Sequence, residues 1–183
     1  MRPTDDLREE HRAVKLMLRI LDSICTNIES RKNVEQEHLE RLVEFMEIFV
    51  DRCHHTKEEV YLFPEMEKVD QGAGELINSL SREHKLGREY VSRIGETVSR
   101  KEWDRAGSTI VDNLRAYIQL LTLHIEKENN DLFPRADTCL EPGVQKKLLD
   151  SFQVIEKEEI GAGKHEEFHM LLHSLKDIYL KQE

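Results

Sequence analysis

A chain of 183 residues, 38% apolar and 35% charged, is long enough to bury one sizeable core beneath a heavily charged surface. No uncharged apolar run approaches the roughly 20 residues that a bilayer span requires. The formal net charge of −10 argues against partners such as nucleic acid or an anionic membrane surface. With only 8 glycines and 4 prolines, turn-rich β folds are disfavoured, so the composition predicts an all-α protein.

Capping residues and apolar spacing predict four long helices and two shorter ones. The first begins at Thr4, before Asp5 and Asp6. Capping boxes at Asn33–Gln36 and Ser99–Glu102 open the second and fourth helices. The predicted bounds are about 4–29, 33–68, 75–98, 99–137, 144–159 and 164–180.

Short connections between long helices favour antiparallel packing. We therefore predict an up-down-up-down four-helix bundle over residues 1–140. Residues 141–183 are predicted to form a C-terminal helical extension packed on that bundle. Pro64 and Pro134 lie near the ends of the second and fourth helices, where they should kink or fray the last turns.

Polar residues interrupt the apolar stripe of each of the four long helices. Every stripe carries one histidine, and two of them carry a glutamate one turn later. Uncompensated, such groups in a core would each cost several kcal/mol. One metal site would account for all six: His11, His54, Glu58, His84, His124 and Glu128.

An internal repeat supports this interpretation. Residues 54–64 and 124–134 share the pattern H-x-x-K-E-x-x-x-L-F-P, 70 residues apart. The alignment selects His54 over His55 and Glu58 over Glu59, so we interpret His55 and Glu59 as flanking residues, with support of a neighbouring ligand as the alternative. A histidine and a glutamate four residues apart on a helix differ by about 40° in azimuth, so both can face one site.

The order of these six residues resembles that of the hemerythrin-like, or HHE cation-binding, domains, and the resemblance covers roughly residues 5–137. It implies a four-helix bundle that holds two non-heme irons per chain. Glu58 and Glu128 would be the bridging carboxylates, and His11, His54, His84 and His124 the terminal ligands. The donor types also suit zinc or manganese, but a paired site with bridging carboxylates favours iron.

The chain departs from the oxygen-carrying members of that family at two positions. Arg88 stands where they place a second histidine on the third helix, and Asn129 stands where they place an aspartate. Reversible oxygen carriage is therefore disfavoured. The remaining ligands would leave an open position for dioxygen, nitric oxide or peroxide, or for loading and releasing iron, in sensing or stress response.

Two alternatives differ in class from this hypothesis. The first is a diiron enzyme that reduces peroxide or nitric oxide, so whether the protein is an enzyme is left open. The second is an interaction module in which a structural metal only holds the helices together and the acidic surface binds a protein partner. Azide or nitric oxide binding distinguishes this module from the other two, and turnover with a reductant distinguishes the enzyme from the sensor.

Two further features bear on function and location. His165, His169 and His173 repeat every four residues along one helix face, and we interpret this row as a half-exposed packing face. Its first member, His165, is a weaker candidate for an additional ligand, a lid or a separate metal site. The three cysteines form an odd, widely spaced set, and the first residues lack the apolar stretch of a secretion signal, so we predict a cytoplasmic protein.

Overall fold

Six helices account for most of residues 1–101, 107–161 and 163–180, which are the residues that the computed structural model describes. Helix α1 spans Pro3–Glu29, α3 spans Gly74–Ser99 and α6 spans Lys164–Tyr179. The other three change helix type along their length: α2 over Gln36–Phe45, Met46–His55, Lys57–Leu62 and Phe63–Val69; α4 over Gly107–Lys127, Glu128–Leu132 and Phe133–Cys139; α5 over Pro142–Ile155 and Glu156–Ile160. These residues contain no strand, which confirms the all-α prediction.

Helices α2 and α4 are π-helical up to the leucine of each Leu-Phe-Pro sequence. The N–H of Phe63 donates to the carbonyl of Glu58, and the N–H of Phe133 donates to the carbonyl of Glu128, in both cases five residues back. Proline has no backbone N–H to donate to the carbonyl four residues back, and a π turn beside it accommodates that missing hydrogen bond. The helices therefore continue to Val69 and Cys139, beyond the prolines.

Two predicted helix starts differ from the structure. Helix α1 begins at Pro3, so Thr4 lies inside it, and the Thr4 hydroxyl bonds Asp137 instead of capping the helix. Helix α2 begins after Glu35, whose carboxylate accepts a hydrogen bond from the Asn33 amide at 2.6 Å. The predicted box at the start of the fourth helix includes Glu102, which lies outside the described residues.

Three pairs of neighbouring helices run antiparallel. The contacts that establish this are Arg8–Asp137 and Arg115–Glu29 for α1 and α4, Gln36–Val98 and Arg88–Asp51 for α2 and α3, and Lys127–Glu83 and Tyr117–Gly87 for α3 and α4. Helices α5 and α6 both pack against α1 and α2. Gly161 and Gly163, with φ of +84° and +85°, form part of the connection between them, where a left-handed backbone favours glycine.

Two apolar clusters lie on either side of the polar residues predicted to bind metal. The larger is formed mainly by α1, α2, α3, α4 and α6. The smaller includes Leu62, Phe63, Leu132 and Phe133 from the two Leu-Phe-Pro sequences, together with Phe152 of α5. In the described part of the chain, no helix combines the length and apolar character needed to cross a membrane.

Candidate metal centre

The structure brings all six predicted core ligands together, and all six are buried. Ligand atoms of His11, His54, Glu58 and Glu128 lie within 4.8 Å of one another. The same holds for His84, His124, Glu58 and Glu128. The two carboxylates belong to both groups, so the centre consists of two adjacent positions that share Glu58 and Glu128.

The four imidazoles present their Nε2 atoms to the centre in two pairs. His11 Nε2 is 3.0 Å from His54 Nε2, and His84 Nε2 is 3.0 Å from His124 Nε2. Atoms that bind one ion at about 2.0–2.1 Å lie about 3 Å apart. Two unprotonated nitrogens at this separation would repel each other, so the arrangement needs a proton or a cation between them.

Each Nδ1 bonds an oxygen outside the centre, which identifies Nε2 as the nitrogen that is free to bind an ion. The Nδ1 acceptors are Asn129 for His11 at 3.1 Å, Glu10 for His54 at 2.8 Å, Glu59 for His84 at 2.7 Å and Glu83 for His124 at 2.9 Å.

The two shared carboxylates test whether a cation fits. Both oxygens of Glu58 and both of Glu128 are buried and accept no hydrogen bond from any described residue. Their nearest neighbours are imidazole nitrogens at 3.1–3.6 Å. Four unbonded carboxylate oxygens facing four imidazole nitrogens form a donor set that suits iron, zinc or manganese. The residues therefore fit a pair of metal ions.

Two lysines explain why the repeated motif contains H-x-x-K-E. Lys57 bonds Glu10, which holds His54, and Lys127 bonds Glu83, which holds His124. Each lysine therefore neutralises the carboxylate that orients the histidine three residues before it. The two halves of the chain build the same support, since Glu10 precedes His11 just as Glu83 precedes His84.

The phenylalanines of the repeat also have a role in the centre. Phe133 stacks on the ring of His11 at 5.4 Å, and Phe63 stacks on the ring of His84 at 5.8 Å. Each Leu-Phe-Pro sequence therefore covers one imidazole with an apolar face, which excludes water from that side.

Sequence reasoning missed several of these supporting residues. Glu10, Glu83 and Asn129 were not predicted to contact the ligands. Glu59, interpreted as a flanking residue with a supporting contact as the alternative, makes that contact with His84. The lysine shared by both copies of the motif was an available signal for the first two carboxylates. His55, interpreted as flanking, is instead buried beside His84.

The predicted ligand His165 lies elsewhere. Its ring contacts Phe49 at 5.4 Å and His169 at 4.7 Å. Among the described residues, it belongs to none of the groups able to hold a metal ion. Its role as an additional ligand stays a prediction without a supporting contact.

Glu10 makes the metal-free protein sensitive to acid. Burial favours the neutral acid, but the hydrogen bond from His54 and the charges of His54 and Lys57 outweigh it, lowering the pKa of Glu10 from 4.5 to about 2. A lowered pKa contributes stability above pH 4.5 that is lost as the pH falls through about 2.

We therefore expect the free energy of unfolding of the metal-free protein to decline between about pH 4.5 and 2. The variant Glu10→Gln should show a shallower decline in urea unfolding measured across this range. Glu9→Gln, at an exposed neighbour, is the matched control. Parallel profiles for the wild type and Glu10→Gln would contradict this assignment.

The fold and the centre define a class of protein, namely an all-helical chain with buried histidine–carboxylate groups able to hold metal ions. The model of the hemerythrin HHE cation-binding domain matches residues 2–136, so the chain belongs to that family.

Three related sequences match most of the chain. Uncharacterized proteins of Mycobacterium bovis and of two strains of Mycobacterium tuberculosis are each 22% identical to it over 159 residues. The matches cover 86% of this chain and 62% of each relative, so the chain spans less than two thirds of their length. No solved structure matches it significantly.

Proposed function

We propose that this protein is a non-heme diiron protein that binds a small ligand or handles iron in sensing or stress response. The ligand class is dioxygen, nitric oxide or peroxide. The observation that carries the proposal is the sharing of Glu58 and Glu128 between two groups of ligand atoms. Zinc or manganese would also fit the donor types, but two carboxylates common to two positions favour iron.

The residues divide into three roles under this proposal. His11 and His54 would hold one ion, His84 and His124 the other, and the two carboxylates would bridge them. Bound iron would supply a Lewis-acidic, redox-active position for the small ligand. The acceptors on each Nδ1 keep the imidazoles oriented, because they fix which ring nitrogen carries the proton.

The surroundings of the centre support a small, uncharged ligand. A narrow void, without room for a free water molecule, adjoins His11, His54, His55 and His124. Its other walls are the apolar side chains of Val14, Val50, Leu121 and Ile125. These apolar walls exclude water from this side of the centre and favour an uncharged ligand, which would enter only as the side chains move apart.

We also propose an up-down-up-down four-helix bundle over residues 1–140, with residues 141–183 as an extension packed on it. The antiparallel contacts of α1 to α4, and the packing of α5 and α6 on α1 and α2, support this division. A cytoplasmic location is part of the proposal and is supported by three free cysteines.

The test is metal analysis with an optical spectrum of protein purified without chelator. We expect about two irons per chain, as two groups sharing two carboxylates imply, and near-ultraviolet charge-transfer absorption that changes with azide. Turnover of peroxide or nitric oxide with a reductant would favour the diiron enzyme instead. One zinc or no metal, with unchanged stability after chelation, would contradict the proposal and favour a helical interaction module.

A further inference from the structure

His55 lies at the end of the first π-helical segment of α2, next to His54. In an α-helix, successive side chains are about 100° apart, which would turn His55 away from the apolar stripe. A π turn holds more residues than an α turn, so neighbouring side chains lie closer in azimuth. Both His54 and His55 are buried in this segment, with His55 only 3% exposed.

The ring of His55 is held against the centre. It stacks on His84 with 3.8 Å between ring centroids and 18° between planes, and its centroid is 5.9 Å from that of His124. One ring nitrogen of each of these three histidines lies within 4.8 Å of the others. The three imidazoles therefore form a donor group on the side of the centre that His84 and His124 occupy.

The Nδ1 atom of His55 is buried and has no hydrogen-bond partner among the described residues. The nearest carboxylate oxygen, Asp51 Oδ1, is 3.4 Å away, outside hydrogen-bond geometry, and accepts a hydrogen bond from Arg88 Nε at 2.7 Å. Arg88 also donates to Glu59, so the neighbouring acids are engaged elsewhere. A buried imidazole nitrogen without a partner costs about 1–3 kcal/mol unless some other group binds it.

We propose that His55 is a third imidazole ligand of the ion held by His84 and His124. This inference rests on the proposed function, because it requires the paired centre. It makes the two positions unlike: three imidazoles and two carboxylates on one side, two imidazoles and two carboxylates on the other. The ion held by His11 and His54 then has fewer protein donors, so the small ligand binds there.

The test compares the wild type with His55→Phe, which keeps an aromatic ring against His84 but cannot bind metal. Anaerobic titration with iron(II), followed by Mössbauer spectroscopy, counts the two positions separately. We expect two unequal signals in the wild type. In His55→Phe we expect one ion to keep its affinity and the other to bind about 10–100-fold more weakly, the loss typical even of supporting residues around a metal.

Two controls separate the outcomes. His38→Phe, on a histidine that bonds Tyr179 away from the centre, should leave both affinities unchanged. If His55→Phe does not fold, as judged by circular dichroism without metal, His55→Gln replaces it. Wild-type affinity and spectrum for both irons in the folded variant would overturn the role of His55 alone. Failure of the wild type to bind two irons would overturn the diiron proposal itself.

Discussion

Replacing Glu128 with glutamine should reduce the metal content from about two ions per chain to less than one. Glu128 belongs to both groups of ligand atoms, so its loss removes an anionic donor from each position at once. Glutamine keeps the length of the side chain but offers one neutral oxygen, which binds a divalent or trivalent ion far more weakly. Glu58→Gln should have the same effect, since Glu58 is the second carboxylate common to both groups.

Metal analysis and thermal unfolding with and without chelator would check this expectation. Ions that bind only the folded chain stabilise it by about 2.7 kcal/mol when their concentration is 100 times Kd. The wild type should gain stability on loading, and Glu128→Gln should gain little. Glu126→Gln, two residues away and exposed, is the control. Full metal content in Glu128→Gln would contradict the ligand assignment.

Replacing Lys57 with methionine should lower the free energy of unfolding by about 3–5 kcal/mol, the cost typical of removing one partner from a buried ion pair. The Lys57 ammonium is fully buried and bonds Glu10 and Glu156, each at 2.6 Å, and Asp6 at 2.9 Å. Without it, three carboxylates would face one another with no cation between them.

Urea unfolding of the metal-free protein would measure this loss, and the internal repeat provides a matched control. Lys127 occupies the equivalent position in the second motif, but its side chain is 41% exposed. Lys127→Met should therefore cost less than about 1 kcal/mol. Adding Glu156→Gln to Lys57→Met should recover part of the loss, because it removes one of the repelling charges. Equal losses for the two lysine variants would show that burial does not determine the effect.

Apolar spacing was sufficient to predict the helices and to select the residues that meet at the centre, for one physical reason. Apolar residues recur at helical spacing, and a polar residue within such a stripe must face the core. His11 and His84 were found in this way, and the repeat then chose His54 and Glu58 over their neighbours. The structure brings these residues together, as the spacing requires.

The misinterpreted residues depend on contacts that helical spacing does not reveal. The alignment of the two repeats favoured His54 over His55, whereas the structure buries both, at the end of the π-helical segment Met46–His55. Glu10 and Glu83 touch histidines of other helices, 44 and 41 residues away, so no local pattern contains the pairs. The contacts of His165 depend on how α6 packs, which the apolar stripe of that helix leaves open.

The buried ammonium of Lys57 has a consequence for the C-terminal part of the chain. Glu156 of α5 bonds Lys57, Lys57 bonds Glu10, and Glu10 bonds the His54 imidazole. An ion held by His54 would favour the conformation in which this chain of bonds is intact, and α5 docked in place would favour the same conformation. Thermodynamic linkage is reciprocal. Under this coupling, displacing α5 would weaken the affinity for the ion, and removing the ion would destabilise the docking of α5 by the same coupling free energy.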